Sequence, residues 1–349
     1  MDAKDLKILN ILAQNCRVAS TTISSALHVS KDTVTYRIRQ LQSQGYLKQY
    51  MLFVDARRLG FTRYHILIRF DPSLEDKKEI IERVARHPFV MWVNTFIGRY
   101  DAQIIVDALN GFHLNSIREE LFRIAKHGIQ EYTVLTHLLD LEFTQLSPII
   151  DVETSFSRKD DSSFSKSLTT RNFPVGADFD RYLPSRVETE ILRLLADDPC
   201  SSLVDIASKV DTDRQTVKKH IQSLISHKVI LNFGGITDHS KFGFITYYLL
   251  VRIAQDTPSR TLKQPFASLH NIFYAGRMLG DYDMILYLNA RNPQELNESI
   301  ELFKSKLGQH ILHYDLLVQD QVHHWRQYSI GIYDHLVKSK EDQAKKYNK

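Results

Sequence analysis

The residues in this sequence best suited to binding chemistry lie near the N-terminus, between positions 30 and 40. Lysine and arginine side chains neutralise phosphates, while arginine, hydroxyl and amide groups can hydrogen-bond to base edges. A short helix that carries such groups on one face suits the major groove of DNA. The sequence therefore predicts binding of double-stranded DNA by Ser30, Lys31, Thr33, Thr35, Tyr36, Arg37, Arg39 and Gln40.

Two short helices must position this set. The sequence predicts one helix over residues 21–27 and a recognition helix over residues 31–44. Ser30 is the predicted N-cap, because its hydroxyl can accept an unpaired amide proton of the first turn. The buried stripe, at helical spacing, is predicted to be Val34, Ile38 and Leu41.

A third helix and a strand complete the first domain. Residues 4–15 carry leucines on one helical face, and residues 47–54 have the composition of a strand. Three short helices can share one small core. We interpret residues 1–54 as a winged helix-turn-helix domain.

Residues 62–145 follow a different pattern, in which strands alternate with amphipathic helices. The order strand, helix, strand, strand, helix, strand predicts a ferredoxin-like βαββαβ domain. Both helices would cover the same sheet face, so we expect the other face to pair with a second such domain. The predicted elements span residues 64–70, 74–86, 90–97, 102–108, 112–126 and 130–142.

The whole unit then repeats, at an offset of 183 residues at first and 182 later. Residues 205–230 repeat the pattern of residues 22–47, and Val217, Ile221 and Leu224 reproduce the apolar stripe. We predict a second winged helix-turn-helix domain over residues 185–237 and a second ferredoxin-like domain over residues 244–327. The predicted fold class is α+β, with four domains in tandem.

Two segments fall outside the repeat. Residues 151–184 are rich in serine, threonine and charge, which predicts a flexible linker, although its phenylalanines could instead dock it onto a domain. Residues 328–349 are expected to form a charged, frayed tail.

The overall composition excludes several classes of protein. No apolar run of the 349 residues approaches the roughly 20 that a membrane span needs, and the N-terminus lacks the features of a signal peptide. The only cysteines, Cys16 and Cys200, are far apart in sequence, which argues against a disulfide framework or a cysteine zinc site and favours a cytoplasmic location. The 15 histidines are scattered, and the adjacent His323 and His324 would point to opposite faces of a strand, so no metal site is predicted.

The positive charge is concentrated in the first domain. Residues 1–50 hold seven lysines and arginines against three aspartates, whereas residues 185–235 hold seven residues of each sign. This distribution favours the first helix-turn-helix as the DNA-binding one.

Several motifs in a fixed order carry a resemblance to the Lrp/AsnC family of feast/famine transcription regulators. They are DLKIL at residues 5–9, the helix-turn-helix with its ending RIRQLQSQGYL at residues 37–47, and the turns GRYD and GDYD at residues 98–101 and 280–283. Family members join a winged helix to a ferredoxin-like effector domain, called RAM, and most dimerise through their sheets. The resemblance implies a covalently fused dimer that binds specific DNA, paired through its own RAM sheets and open to further self-association.

The resemblance also implies an amino-acid effector, because many members bind one near the turns that correspond to GRYD and GDYD. The carried-over effector residues are Gly98, Tyr100, Asp101, Gly280, Tyr282 and Asp283. A plain hairpin turn is the alternative, since glycine supplies a positive φ and aspartate can accept hydrogen bonds from turn amides.

The second recognition helix departs from the first. Lys219, His220 and Gln222 stand where the first has Tyr36, Arg37 and Arg39. The second domain could bind DNA weakly through Arg214, Lys218 and Lys219, read a different half-site, or serve as a scaffold.

No common catalytic or nucleotide-binding motif is present, so we expect no enzyme, no catalytic residue and no cofactor. Two alternatives remain open. Sirohaem decarboxylases resemble this family and pair two such units around an anionic tetrapyrrole, for which His113, His137 and Arg118 could serve. A DNA-packing protein with little sequence preference is the other.

Overall fold

The computed structural model describes residues 1–126, 128–143, 180–255, 257, 262 and 269–347. The first half begins with three helices and ends in a four-stranded unit. Its elements are α1 (Ala3–Gln14), α2 (Ser20–Leu27), α3 (Lys31–Ser43), β1 (Leu47–Val54), β2 (Thr62–Phe70), α4 (Lys77–Ala85), β3 (Val90–Ile97), β4 (Ala102–Ala108), α5 (Gly111–Ile124) and β5 (Ile129–Phe143).

The second half repeats this order, except between β7 and β8 where most residues lie outside the described ranges, and it adds a final helix. Its elements are α6 (Arg186–Asp197), α7 (Leu203–Lys209), α8 (Arg214–Ser226), β6 (Ile230–Thr237), β7 (Ile245–Ile253), β8 (Ile272–Leu279), β9 (Met284–Ala290), α9 (Pro293–Leu307), β10 (Ile311–Trp325) and α10 (Ile330–Tyr347). The two winged helices and the two ferredoxin-like units of the α+β prediction are therefore confirmed. The helix predicted before β8 and nearly all of the linker at 151–184 lie outside the described residues.

The first three helices form because an apolar stripe and a cap agree locally. Ser30 caps α3 by accepting the amide proton of Thr33 at 3.1 Å, as predicted. Val34 and Leu41 are buried against Ile8 and Ile23, while Ile38 is partly buried. This core sets the angle at which α3 faces solvent.

The wing strands pair between the two halves of the chain. Strand β1 runs antiparallel to β6, with Leu52 opposite Phe233 and Met51 opposite Gly234. The two strands form a separate two-stranded sheet, the wing ribbon. The prediction placed each wing within its own domain, whereas the structure ties the two winged helices together.

The two ferredoxin-like sheets close into one barrel. Their strand orders are β3-β4-β2-β5 and β8-β9-β7-β10, and the pairs β5–β8 and β3–β10 join them edge to edge. The bare faces predicted to meet therefore line the barrel interior, where they bury Leu67, Leu135, Leu250 and Leu317. Closure also removes the unpaired sheet edges that would otherwise bind other chains.

The expectation of a frayed C-terminal tail is wrong. Residues 330–347 form α10, and its Ile332 and Leu336 are buried in the core of the second winged helix. Tyr333 donates a hydrogen bond to Glu190 at 2.8 Å, and Lys340 donates to Thr189 at 2.6 Å. Apolar residues at helical spacing outweighed the charged composition on which the prediction rested.

Candidate functional site

The outer face of α3 presents the predicted DNA-binding side chains to solvent. Lys31, Tyr36, Arg39 and Gln40 are exposed, with 61% of Tyr36 accessible. The Gln40 amide donates to the Tyr36 hydroxyl at 2.8 Å, so these two side chains form one hydrogen-bonding surface. The hydroxyls of Ser30 and Thr33 lie 2.9 Å apart at the N-terminus of the helix, and Thr35 bonds to the Lys31 carbonyl.

Arg37, whose predicted DNA contact stays a prediction, forms ion pairs with two carboxylates of α1. Its guanidinium lies 2.8 Å from the Asp2 carboxylate and 2.7 Å from the Asp5 carboxylate, both on the cap and first turn of α1. Hydrogen bonds to these two carboxylates raise the pKa of Arg37. The side chain thus clamps α3 to α1, which sequence spacing could not reveal because the partners lie over 30 residues away.

A similar contact joins the corresponding helices α8 and α6 in the second half, but it is a weaker one. His220 Nδ1 lies 3.5 Å from the Glu188 carboxylate, at the positions that correspond to Arg37 and Asp5. Because an imidazole carries a charge only when protonated, this contact is not a permanent ion pair.

The exposed face of α8 is also less suited to a polyanion. Arg214 and Lys219 are exposed and Lys218 is half-buried, as a weak DNA-binding surface would require. However, the N-cap is Asp213 instead of a serine, and hydrogen bonds from Thr216 hold the pKa of this carboxyl below its ordinary value. The N-terminus of a recognition helix approaches DNA, so a fixed negative charge there opposes phosphate binding.

The GRYD and GDYD turns are contacts between the two halves. Gly98 (φ +150°) packs against Leu317 of β10, and Gly280 (φ +146°) packs against Leu135 of β5, so tightly that a Cβ on either glycine would lie under 3 Å from a leucine methyl. Both tyrosines, Tyr100 and Tyr282, are buried.

The aspartates of these turns already have backbone partners. Asp101 accepts from the Phe70 amide at 2.8 Å, and Asp283 accepts from the Ile253 amide at 2.9 Å. The structural role of these turns is therefore explained without a ligand.

A large cavity lies between the wing ribbon and the barrel interior, with a volume of about 760 Å³. This size is within the range of pockets that bind small organic molecules. Its walls combine aromatic rings with imidazole and guanidinium groups. Those groups include Arg57, Arg63, His65, His137, His239, His323, His324 and Arg326, beside Phe53, Trp92, Phe143, Phe273, Tyr274, Tyr287 and Trp325.

His65 is the most distinctive group in this cavity. It is 1% exposed, and burial together with the nearby His137 and Arg63 lowers the pKa of its imidazole well below 6.5. Its Nδ1 lies 3.0 Å from the Gln103 amide, which in turn accepts a bond from Asn94, so the proton of the neutral ring resides on Nε2. Within the described residues Nε2 has no hydrogen-bond partner.

The cavity is asymmetric. Arg63 forms a 3.0 Å ion pair with the buried Asp107, where the second half has a neutral 2.9 Å hydrogen bond from Thr246 to Asn289. Tyr248 stands where the first half has His65, and it packs against Tyr287 with ring centroids 3.9 Å apart. At these corresponding positions the first half therefore has ionisable groups, whereas the second half has neutral hydrogen-bonding and aromatic side chains.

Sequence analysis singled out only a few of the residues that line this cavity. His137, His323 and His324 line it, and burial lowers the pKa of His324 to about 4. His113 instead accepts from the Leu109 amide, and Arg118 bonds to Tyr132 and Asn115 on the outer side of α5. In the part of the chain that the structure describes, no group of three or more histidine, cysteine or acidic side chains is arranged to hold a metal ion.

Among the described residues, none of the helices combines the length and the apolarity that crossing a bilayer requires.

Comparison with known protein families identifies the three-helix segment at the start of each half as a helix-turn-helix domain. The profile of AsnC-type helix-turn-helix domains matches residues 1–42, and that of winged helix-turn-helix DNA-binding domains matches residues 185–230. An uncharacterised HTH-type transcriptional regulator of Pyrococcus horikoshii is 32% identical over 133 residues, which is 38% of this chain and 84% of that protein. The HTH-type transcriptional regulator LysM of Saccharolobus solfataricus is 31% identical over 121 residues, 35% of this chain and 83% of LysM.

Solved structures of a siroheme decarboxylase match along almost the whole chain. The siroheme decarboxylase NirDL superposes with a TM-score of 0.58 over 97% of this chain and 99% of its own, at 11% sequence identity. At that identity the likeness shows a shared tandem fold and nothing about chemistry.

Proposed function

Because this chain belongs to the Lrp/AsnC family of transcriptional regulators, we propose that it regulates transcription by binding specific double-stranded DNA sites through α3. The observation that carries the proposal is the solvent-exposed face of Lys31, Tyr36, Arg39 and Gln40 behind a neutral serine cap. Arg39 is the residue most able to read a guanine, because its guanidinium is exposed and is not part of the clamp to α1.

Selection of duplexes from a random pool with the full chain tests sequence specificity. Recovery of one motif supports a specific regulator, whereas recovery of no motif supports the DNA-packing alternative. Because phosphate contacts supply much of the affinity, log Kd for the recovered site should change linearly with log salt concentration.

A matched pair of substitutions assigns the contact. Arg39→Ala should weaken binding to the selected site by about 1–3 kcal/mol and relax the preference at one base pair. Gln222→Ala, at the corresponding position of α8, should leave the affinity nearly unchanged. Equal losses, measured by fluorescence anisotropy, would show that both helices contribute alike.

We further propose that a small molecule modulates this DNA binding and that it binds in the interior cavity. Support comes from the volume of the cavity and from His65 Nε2, a buried ring nitrogen that has no hydrogen-bond partner within the described residues and that a ligand acceptor would satisfy. The turn residues Asp101 and Asp283, in contrast, already accept bonds from main-chain amides.

Thermal unfolding in the presence of each common amino acid tests the effector proposal. A ligand that binds the cavity raises the melting temperature of the parent chain but not of a His65→Phe variant. If Asp101→Asn abolishes the shift and His65→Phe does not, the turns are the effector site. If no amino acid shifts either the melting temperature or the affinity for DNA, amino acids are excluded as effectors.

Tetrapyrrole chemistry in the same cavity is a second candidate function. The observation that favours it is the set of imidazole and guanidinium groups on aromatic walls, which suits a flat molecule with carboxylate substituents. Titration with iron uroporphyrin, followed by its absorbance spectrum, separates the two candidates. A saturable spectral change that His65→Phe removes, followed by release of carbon dioxide, would favour the enzyme, and an unchanged spectrum would exclude it.

A further inference from the structure

The only two cysteines of the chain meet at the junction between the two winged helices. Cys16 follows α1 and Cys200 follows α6, so they lie in corresponding loops of the repeat. The Cys200 thiol donates to the Cys16 carbonyl oxygen at 3.5 Å, and the two thiols are near enough for each to shift the pKa of the other. Neither cysteine forms a disulfide in this structure.

The backbone on both sides of the pair is held in place. The Arg17 guanidinium donates to the Pro199 carbonyl at 2.6 Å and to the Ser201 carbonyl at 2.9 Å, on either side of Cys200. The Cys16 amide donates to the Phe233 carbonyl of the wing ribbon at 2.8 Å. These contacts hold the backbone of both cysteine-bearing loops in place.

The two thiols differ in access and in acidity. Cys200 is exposed and Cys16 is buried. The hydrogen bond from Cys16, with the nearby Arg17 charge, lowers the pKa of Cys200, whereas the bond to Cys200, followed by burial, raises the pKa of Cys16. An exposed thiol with a lowered pKa reacts first with an oxidant, and a buried neighbour is positioned to react second.

We propose that Cys16 and Cys200 form a reversible intramolecular disulfide that joins the two winged helices when the protein meets a peroxide. The Cys200 thiolate attacks one peroxide oxygen, forming a sulfenic acid and releasing water after protonation. The Cys16 thiol then attacks this sulfur, loses its proton and displaces a second water. In sum, two thiols and one hydrogen peroxide give one disulfide and two waters, and a dithiol reductant, itself oxidised to a disulfide, returns the pair to two thiols.

The bond would cross-link positions separated by more than half the chain. Such a link lowers the conformational entropy of the unfolded chain and fixes the α1–α2 loop relative to the α6–α7 loop. Oxidation should therefore raise the melting temperature of the winged helices.

The experiment treats the full chain with one equivalent of hydrogen peroxide and follows free thiols, intact mass and thermal unfolding. We expect loss of both thiols, a monomeric product lighter by two hydrogens, a cross-linked Cys16–Cys200 peptide, and a higher melting temperature that dithiothreitol reverses. Cys16→Ser should stop at a sulfenic acid on Cys200, and Cys200→Ser should react much more slowly.

Three outcomes would overturn the proposal: a disulfide between two chains, over-oxidation of Cys200 with Cys16 unmodified, or two thiols that survive the peroxide. Thermal unfolding of both serine variants in reducing buffer provides the folding control, because a cooperative transition there shows that each variant is folded, even if the buried Cys16→Ser costs some stability. The proposal does not depend on DNA binding, so it can fail while the proposed function stands.

Discussion

The helices α3 and α8 occupy corresponding places in the two halves, yet their outer surfaces differ in charge. The first has a serine cap and an exposed Arg39, and the second has an anionic Asp213 cap and Gln222. The clamp behind each helix differs in the same direction, since Arg37 with two carboxylates becomes His220 with one.

The barrel strands of the two halves differ in charge in the same way, beside the interior cavity. The first half has the Arg63–Asp107 ion pair and His65, and the second has Thr246 with Asn289 and Tyr248. In a symmetric homodimer each substitution appears twice, at both ends of the interface. Fusion removes this constraint, so one half can retain charged groups while the other becomes a neutral support.

The largest expected difference between the halves concerns the buried ion pair. Arg63→Ala leaves the fully buried Asp107 carboxylate without its cation, which should lower the free energy of unfolding by about 3–5 kcal/mol. The matched Thr246→Val removes a neutral hydrogen bond and should cost about 1–3 kcal/mol. Urea denaturation of both variants measures the two losses, and a greater loss for Thr246→Val would contradict the asymmetry.

The GRYD and GDYD turns are where the halves should behave alike. Gly98→Ala and Gly280→Ala each place a Cβ at positive φ against a leucine of the opposite half, and each should destabilise the chain by about 1–3 kcal/mol. Gly111→Ala is the control, because that glycine is helical and nothing lies within 4 Å of the added carbon. If the two variants lose very different amounts of stability, the two turns are not equivalent and the pseudo-symmetry of the barrel does not extend to them.

Lowering the pH should reduce the stability of the protein through the buried His65 of the first half. The pKa of its imidazole is lowered by burial, so the stability that it contributes is fully present above pH 6.5 and is lost as pH falls towards the folded-state pKa. Below pH 6.5 this one group contributes a slope of at most about 1.4 kcal/mol per pH unit.

Comparison of His65→Gln with the parent protein isolates the contribution of His65 to the pH dependence of the free energy of unfolding. The variant should show a shallower dependence of unfolding free energy on pH between 6.5 and 5, although His323 and His324, whose pKa values are also lowered, keep contributing. Identical slopes for parent and variant would show that His65 is not the group that resists protonation.

The smallest expected effect comes from exchanging the helix caps. Asp213→Ser removes a negative charge from the N-terminus of α8 and should tighten DNA binding, while Ser30→Asp should weaken it, each by about twofold to fivefold in Kd. Fluorescence anisotropy at low salt measures both changes. If Asp213→Ser alone has no effect, α8 does not approach DNA, and the difference between the helices is larger than the charges suggest.

Much of the fold could be predicted because its signals are local. The Ser30 cap, the stripe of Val34 and Leu41, and the βαββαβ order depend on spacings within a few residues, and the structure reproduces them. The DNA contact predicted for Arg37 stays a prediction, and its intramolecular partners lay beyond such local reasoning. Its spacing placed it with the DNA-binding residues, but its partners, Asp2 and Asp5, are set by the packing of α1.

The amino-acid sequence alone determined the repeat, the two pairs of domains and the cationic face of α3, because periodicity, capping and composition act over one or two helical turns. Tertiary structure alone decided that β1 pairs with β6, that two sheets close into one barrel around a cavity, and that Cys16 meets Cys200. These features depend on which distant surfaces are buried together, and burial is a property of the whole chain.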